Sequence, residues 1–192
     1  MTADELHTRL NSGRLSKEKI MLLVSELIHF PELVGTLLEA IWIEDKEGTF
    51  NASWVFDHLM RKNLSLLLPY SKDFANGLEN LNSESCIRPI AHVCELLVLA
   101  KYKKQDPEYI AGLDKASLEK IVSACFDWLI GSRKVASKVF AMTSLLHLGT
   151  EFKWIHPELE PILENSIHSG TVGYKNRAQK TLLALKALGS RQ

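Results

Sequence analysis

Apolar residues recur every three to four positions along nearly the whole chain, the period of a helix buried on one side. Between Lys17 and Phe30, Ile20, Leu23, Val24, Leu27 and Ile28 fall at i, i+3, i+4, i+7 and i+8, behind a Ser16 suited to cap the first turn. Pro31 reads as the first residue of the next helix, where its missing N–H needs no partner, and Val34, Leu37, Leu38 and Ile41 carry the stripe onward. The run EDKEGT, Glu44 to Thr49, is expected to end that helix, and Asn51 to cap a third one carrying Trp54, Val55, Leu59 and Met60. This third segment frays into the apolar Leu64 to Leu68 and stops at Pro69, with a shorter amphipathic piece around Phe74, Leu78 and Leu81.

The signal strengthens from Ser83. Ser85 to Lys104 places Ile87, Ile90, Val93, Cys94, Leu97 and Ala100 on one side, with Pro89 expected within the first turn. A helix from about Asp114 stacks Leu118, Ile121, Val122, Cys125 and Leu129 before Gly131, and Val135, Val139, Met142 and Leu146 build another ending at Gly149. Pro157 to His168 presents Leu159, Ile162, Leu163 and Ile167, and a last helix from about Gly173 presents Ala178, Leu182, Leu185 and Leu188. No apolar and polar alternation is long enough for a strand. The pattern therefore predicts an all-α chain of roughly nine helices in one domain, 1–192, with a divergent 1–82 and a more regular 83–192.

The regular part repeats. A shift of about 41 residues lays Leu118, Ile121, Val122 and Phe126 on Leu159, Ile162, Leu163 and Ile167, and one of about 40 lays Met142, Leu145, Leu148 and Gly149 on Leu182, Leu185, Leu188 and Gly189. Two antiparallel helices per period of this length are the signature of a solenoid, in which each pair buries its apolar face against its neighbours. KNRAQKTLLALKALG, Lys175 to Gly189, resembles the second helix of a HEAT repeat, and SRKVASKVFAMTSLLHLG, Ser132 to Gly149, is a looser copy. The resemblance to the HEAT and armadillo-like superfamily implies an α-α superhelix of antiparallel pairs whose second helices line a concave face. The Asp that such repeats place in the turn between paired helices is missing at Gly131 to Arg133 and at Gly170 to Val172.

Composition narrows the class. Twenty-three Lys+Arg balance 23 Asp+Glu, so the chain as a whole has no general attraction to polyanions. Its charge is unevenly distributed, with 5 Lys+Arg against 10 Asp+Glu in residues 1–60 and 9 against 4 in residues 131–192. Arg133, Lys134 and Lys138 start one second helix and Lys175, Arg177 and Lys180 the next, so in a HEAT stack these six form a basic, partner-binding ridge. Cys86, Cys94 and Cys125 are odd in number and make no metal-site spacing, which fits a reducing cytoplasm. The opening MTADELHTRL is acidic and polar, unlike a signal peptide, and no apolar run spans a membrane, so no membrane partner is expected.

Candidate chemistry is sparse. Glu26 and His29 form an ExxH pair, but the second copy and the further glutamates of a di-metal bundle are absent; Glu164 and His168 are four apart, and His92 precedes Glu95 in the reverse order. His58, His147 and His156 have no sequence partner to complete a ligand set. No glycine-rich phosphate loop or nucleophile elbow occurs, so no cofactor is expected. Ser169 to Arg177 is faintly similar to the signature loop of the fumarase and adenylosuccinate lyase superfamily. That likeness implies roles for Ser169, Gly170 and Lys175, with the Met and Pro residues of the signature lost. The HEAT-like DNA glycosylases of alkylation repair set aromatic and acidic residues against a basic surface, and Trp128, Asp127 and Trp154 are the candidates here. The reading that follows is a non-enzymatic helical-repeat scaffold with a protein partner. A nucleic-acid-binding protein of the glycosylase type is the alternative, and a lyase the remote one.

Overall fold

Four helices start at side chains that accept an amide proton. Thr2 and Glu5 form a reciprocal capping box, with Glu5 N donating to Thr2 Oγ1 at 3.2 Å and Thr2 N to Glu5 Oε2 at 2.9 Å. Ser16, Asp106 and Asp114 accept from Lys19 N, Glu108 N and Ser117 N at 3.4, 3.1 and 2.7 Å. The computed structural model describes residues 1–43 and 48–189. Their elements are α1 (Ala3–Leu10), α2 (Lys17–Leu27), α3 (Leu33–Trp42), α4 (Gly48–Lys62), α5 (Ser71–Gly77), α6 (Glu84–Val98), α7 (Pro107–Gly112), α8 (Lys115–Ile130), α9 (Val135–Leu148), α10 (Ile155–Ser166) and α11 (Val172–Gly189). Tighter turns run through Leu64–Tyr70, Leu78–Asn80 and Ile167–Ser169, a π turn extends α6 over Leu99–Lys103, and no strand occurs among the described residues.

The all-helical expectation holds, and four local expectations are corrected. There are eleven α-helices among the described residues where roughly nine were expected, because α1 and α7 are too short to show a full stripe: α1 buries only Leu6 and Leu10, α7 only Tyr109. Asn51 is no cap, since α4 begins at Gly48 and Asn51 lies buried inside it. Pro31 precedes a helix that starts at Leu33, and Pro89 is the sixth residue of α6, beyond the first turn, leaving the Ser85 carbonyl no amide to accept. Of the EDKEGT run, residues 44–47 lie outside the described residues.

One continuous core runs from Leu6 to Leu185. The helices α4, α6, α9 and α11 pack in succession along it, α2 and α3 cover α4, and α5 and α8 pack together beside the row. Central in the C-terminal half, α9 touches α6, α8, α10 and α11. Ile121, Val122, Met142, Leu145, Leu163 and Leu185 of the two matching hairpins are buried as their register requires. Their counterparts Ile162 and Leu182 are only half-buried, as befits a last pair with no described helix beyond it. None of the described helices is long and apolar enough to cross a membrane.

Candidate functional site

Each helix of the α4, α6, α9, α11 row carries a stripe of polar and aromatic residues at helical spacing: Phe50, Trp54, His58 and Arg61 on α4; Arg88, His92 and Glu95 on α6; Phe140, Thr143 and His147 on α9; Arg177 and Lys180 on α11. Contacts between the helices join the stripes into one surface. The Arg14 guanidinium lies 4.3 Å over Phe50, whose ring is 6.2 Å from Trp54, and Arg88 lies 5.5 Å from the Trp54 centroid. Asp57, buried beside this stripe, takes Arg61 Nη2 at 2.6 Å and His92 Nδ1 at 2.5 Å. The His92 ring then meets Phe140 at 4.7 Å, and Arg177 Nη1 donates to Thr143 Oγ1 at 3.1 Å.

The electrostatics of this surface are one-sided. Asp57 is spent on Arg61 and His92, and Glu95 is buried. Burial raises the Glu95 carboxyl above its ordinary range, against the Thr143 hydroxyl and then the charges of His92 and Arg177. Desolvation likewise holds His58 and His147 below the usual imidazole value. Arg14, Arg61, Arg88 and Lys180 reach solvent. A chain with no net charge thus presents a positive face here.

The six residues expected to form a basic ridge are divided. Arg177 and Lys180 lie on this surface. Arg133 is tied to the start of α6, its Nη1 donating to Glu84 Oε1 at 3.1 Å and to the Asn82 carbonyl at 3.3 Å. Lys134 contributes its backbone amide to Glu84 Oε2 at 3.0 Å and leaves its side chain exposed. Lys138 is half-buried on the side of α9 away from Phe140, in a cleft with Ile162 and Tyr174. Lys175 is exposed, about 200° around α11 from Arg177. Sequence reasoning passed over Trp54, Asp57, Arg88, Phe140 and Thr143. The spacing of Arg88, His92 and Glu95 marks a polar side of an otherwise apolar helix, whereas the Asp57 partner of His92, 35 positions upstream, leaves no local signal.

Other candidates are accounted for locally. Glu26 pairs with Arg9, whose guanidinium holds its carboxyl below the usual range, and His29 is exposed. Among the described residues no three His, Cys, Asp or Glu side chains are grouped to hold a metal ion. All three cysteines are buried free thiols; burial pushes Cys94 well up and Cys125 up to about 12. Ser169 Oγ donates to the Ser166 carbonyl at 3.1 Å. Trp128 is in the core, while Trp154 is exposed and stacks on Phe126 with centroids 5.5 Å apart. No family model, curated protein or solved structure matches the chain.

Proposed function

We propose that this protein is a non-enzymatic scaffold of HEAT-like helix pairs, cytoplasmic, which docks an acidic segment of a protein partner on the α4, α6, α9, α11 surface. The observation that carries the reading is the asymmetry of that surface: Asp57 is buried and paired with Arg61 and His92, Glu95 is buried, and Arg14 and Arg88 stand in solvent beside the half-buried rings of Phe50 and Trp54. Trp, Tyr and Arg set among neutral neighbours are the residues that dominate protein interfaces. The successive packing of α4, α6, α9 and α11 supports the solenoid arrangement, and three buried free thiols fit a reducing compartment.

The same cations and rings support a second reading, nucleic-acid binding, in which arginines meet phosphates and Trp54 offers a base a stacking face. Fluorescence anisotropy with a labelled Glu- and Asp-rich peptide and with a labelled oligonucleotide separates the two. The scaffold reading expects saturable peptide binding with a shallow salt dependence, weakened about tenfold by Arg88→Ala with Lys180→Ala. Preference for the oligonucleotide with a steep salt slope would favour the second reading, and no binding of either probe at low salt would defeat both.

A further inference from the structure

On the other side of α9, a cleft of about 520 Å³ opens between the turn joining α8 to α9 and the turn joining α10 to α11. Its volume lies within the range of about 300 to 1,000 Å³ typical of ligand sites. The floor is apolar, built from Leu129, Val135 and Ile162, and its lining contains two cations, Arg133 and Lys138, and no carboxylate. Ile130, 65% exposed, stands at its edge, and Val172, 87% exposed, follows its lining residue Thr171.

The hydroxyls here serve the fold. Ser166 Oγ lies 2.6 Å from the Ile162 carbonyl and 2.6 Å from Tyr174 Oη, so Ser166 donates to the carbonyl and Tyr174 donates to Ser166. Ser169 is spent on the Ser166 carbonyl, and Thr171 Oγ1 accepts from Tyr174 N at 3.5 Å. Arg133 meets Glu84 and Asn82 through Nη1 alone, and Lys138, half-buried, has no anionic partner among the described residues. A lysine whose stem packs along an apolar cleft while its ammonium reaches solvent offers a charge-assisted hydrogen bond to an incoming carboxylate.

We infer that this cleft is a second docking site, for a linear segment of a partner protein that presents an aliphatic or aromatic side chain beside a carboxylate. The apolar group seats on Ile162 and Val135 under the edge formed by Ile130, and the carboxylate meets Lys138 and Arg133. One lysine unpaired among the described residues, beside an arginine already paired with Glu84, over an apolar floor suits such a segment better than a polyphosphate backbone, which needs a longer basic track. The site shares no residue with the α4, α6, α9, α11 surface.

The test uses the full chain, isotope-labelled for amide NMR, and three fluorescein-labelled peptides: Gly-Ser-Asp-Leu-Glu-Phe-Gly, the same with Lys for both acids, and the same with Ala for both apolar residues. The first peptide is expected to bind saturably and to shift the amides of Ile130, Lys138 and Thr171, with both controls weaker by about tenfold or more. Lys138→Glu and, at a 65% exposed position, Ile130→Asp should each weaken the first peptide by a similar factor, while Arg88→Ala leaves it unchanged. Failure to saturate at millimolar peptide, unchanged binding by either cleft variant, or amide shifts on the α4 and α6 stripes instead would overturn the inference. Loss of binding in Arg88→Ala alone would assign the peptide to the other surface.

Discussion

Asn51 lies wholly inside α4, yet its side chain serves the loop between α1 and α2: it accepts from Leu15 N at 3.0 Å and donates to the Leu10 and Gly13 carbonyls at 2.8 and 2.9 Å. Gly13, at φ 88°, supplies the left-handed turn that brings those carbonyls within reach. Asn51→Ala removes three bonds and strands buried polar groups, an expected loss of about 2 to 4 kcal/mol in chemical denaturation. A loss under about 1 kcal/mol would show that water replaces the amide. The residue type was legible, since Asn is a good cap, but its partners lie some forty positions upstream and left no local mark. Glu95 gives a pH signature. Its folded pKa is raised by burial, so well below the ordinary 4.5 both states are protonated and the shift carries no penalty, whereas above it the unfolded chain ionises first and the native state loses ground. Glu95→Gln is therefore expected to stabilise the protein at neutral pH and to make little difference near pH 4, as urea titrations at the two pH values will show. The thiols should stay silent as well. With Cys94 and Cys125 fully buried and Cys125 pushed up to about 12, alkylation by iodoacetamide at mildly alkaline pH should require unfolding, and a rapid native-state reaction would contradict the packing.

At the scale of the helix, α9 concentrates the energetics because four other helices rest on it. Leu145 is fully buried there, and Leu145→Ala should cost about 2 to 5 kcal/mol. The start of α9 has no capping side chain of its own; Glu84, from the first turn of α6, takes both the Lys134 amide and the Arg133 guanidinium. Glu84→Ala is expected to lose about 1 to 2 kcal/mol, with Glu84→Gln recovering part of it, and equal melting temperatures for all three proteins would remove this bridge from the account. Here the sequence misled for a definite reason. Arg133 has no opposite charge one turn away, and the acid that engages its guanidinium is 49 positions upstream; the same acid takes only the backbone amide of Lys134, whose side chain stays exposed. The apolar register of α8 to α11 was legible because each helix there is long enough to show several turns of its stripe. The division of the basic ridge was not, because Lys175 and Lys180 are five positions apart, about 140° around one helix, and cannot share a side.

For the whole molecule the decisive feature is that the core never breaks. A stack of near-independent repeats is stabilised by its nearest-neighbour interfaces, and a weak interface lets one part melt before another. The boundary to watch is the one between residues 1–82 and 83–192, where the sequence changes from irregular to repeating. Across it, α4 packs on α6 as one of the most extensive helix contacts in the protein, and α5 packs on α8. Asp57 adds a buried link to His92, and Phe56 and Phe74, both fully buried with centroids 5.8 Å apart, sit in the same cluster as Ile90 and Val93 of α6. Opening that boundary would expose apolar surface on both sides and leave the Asp57 carboxylate without one of its two partners. Unfolding is therefore expected as a single cooperative transition, with the calorimetric enthalpy equal to the van't Hoff enthalpy and coincident curves from circular dichroism and tryptophan fluorescence. Asp57→Asn should lower the midpoint of that transition without splitting it. Two resolved transitions in the parent protein would mean that the halves are separate folding units and that the α4 to α6 contact is a domain interface.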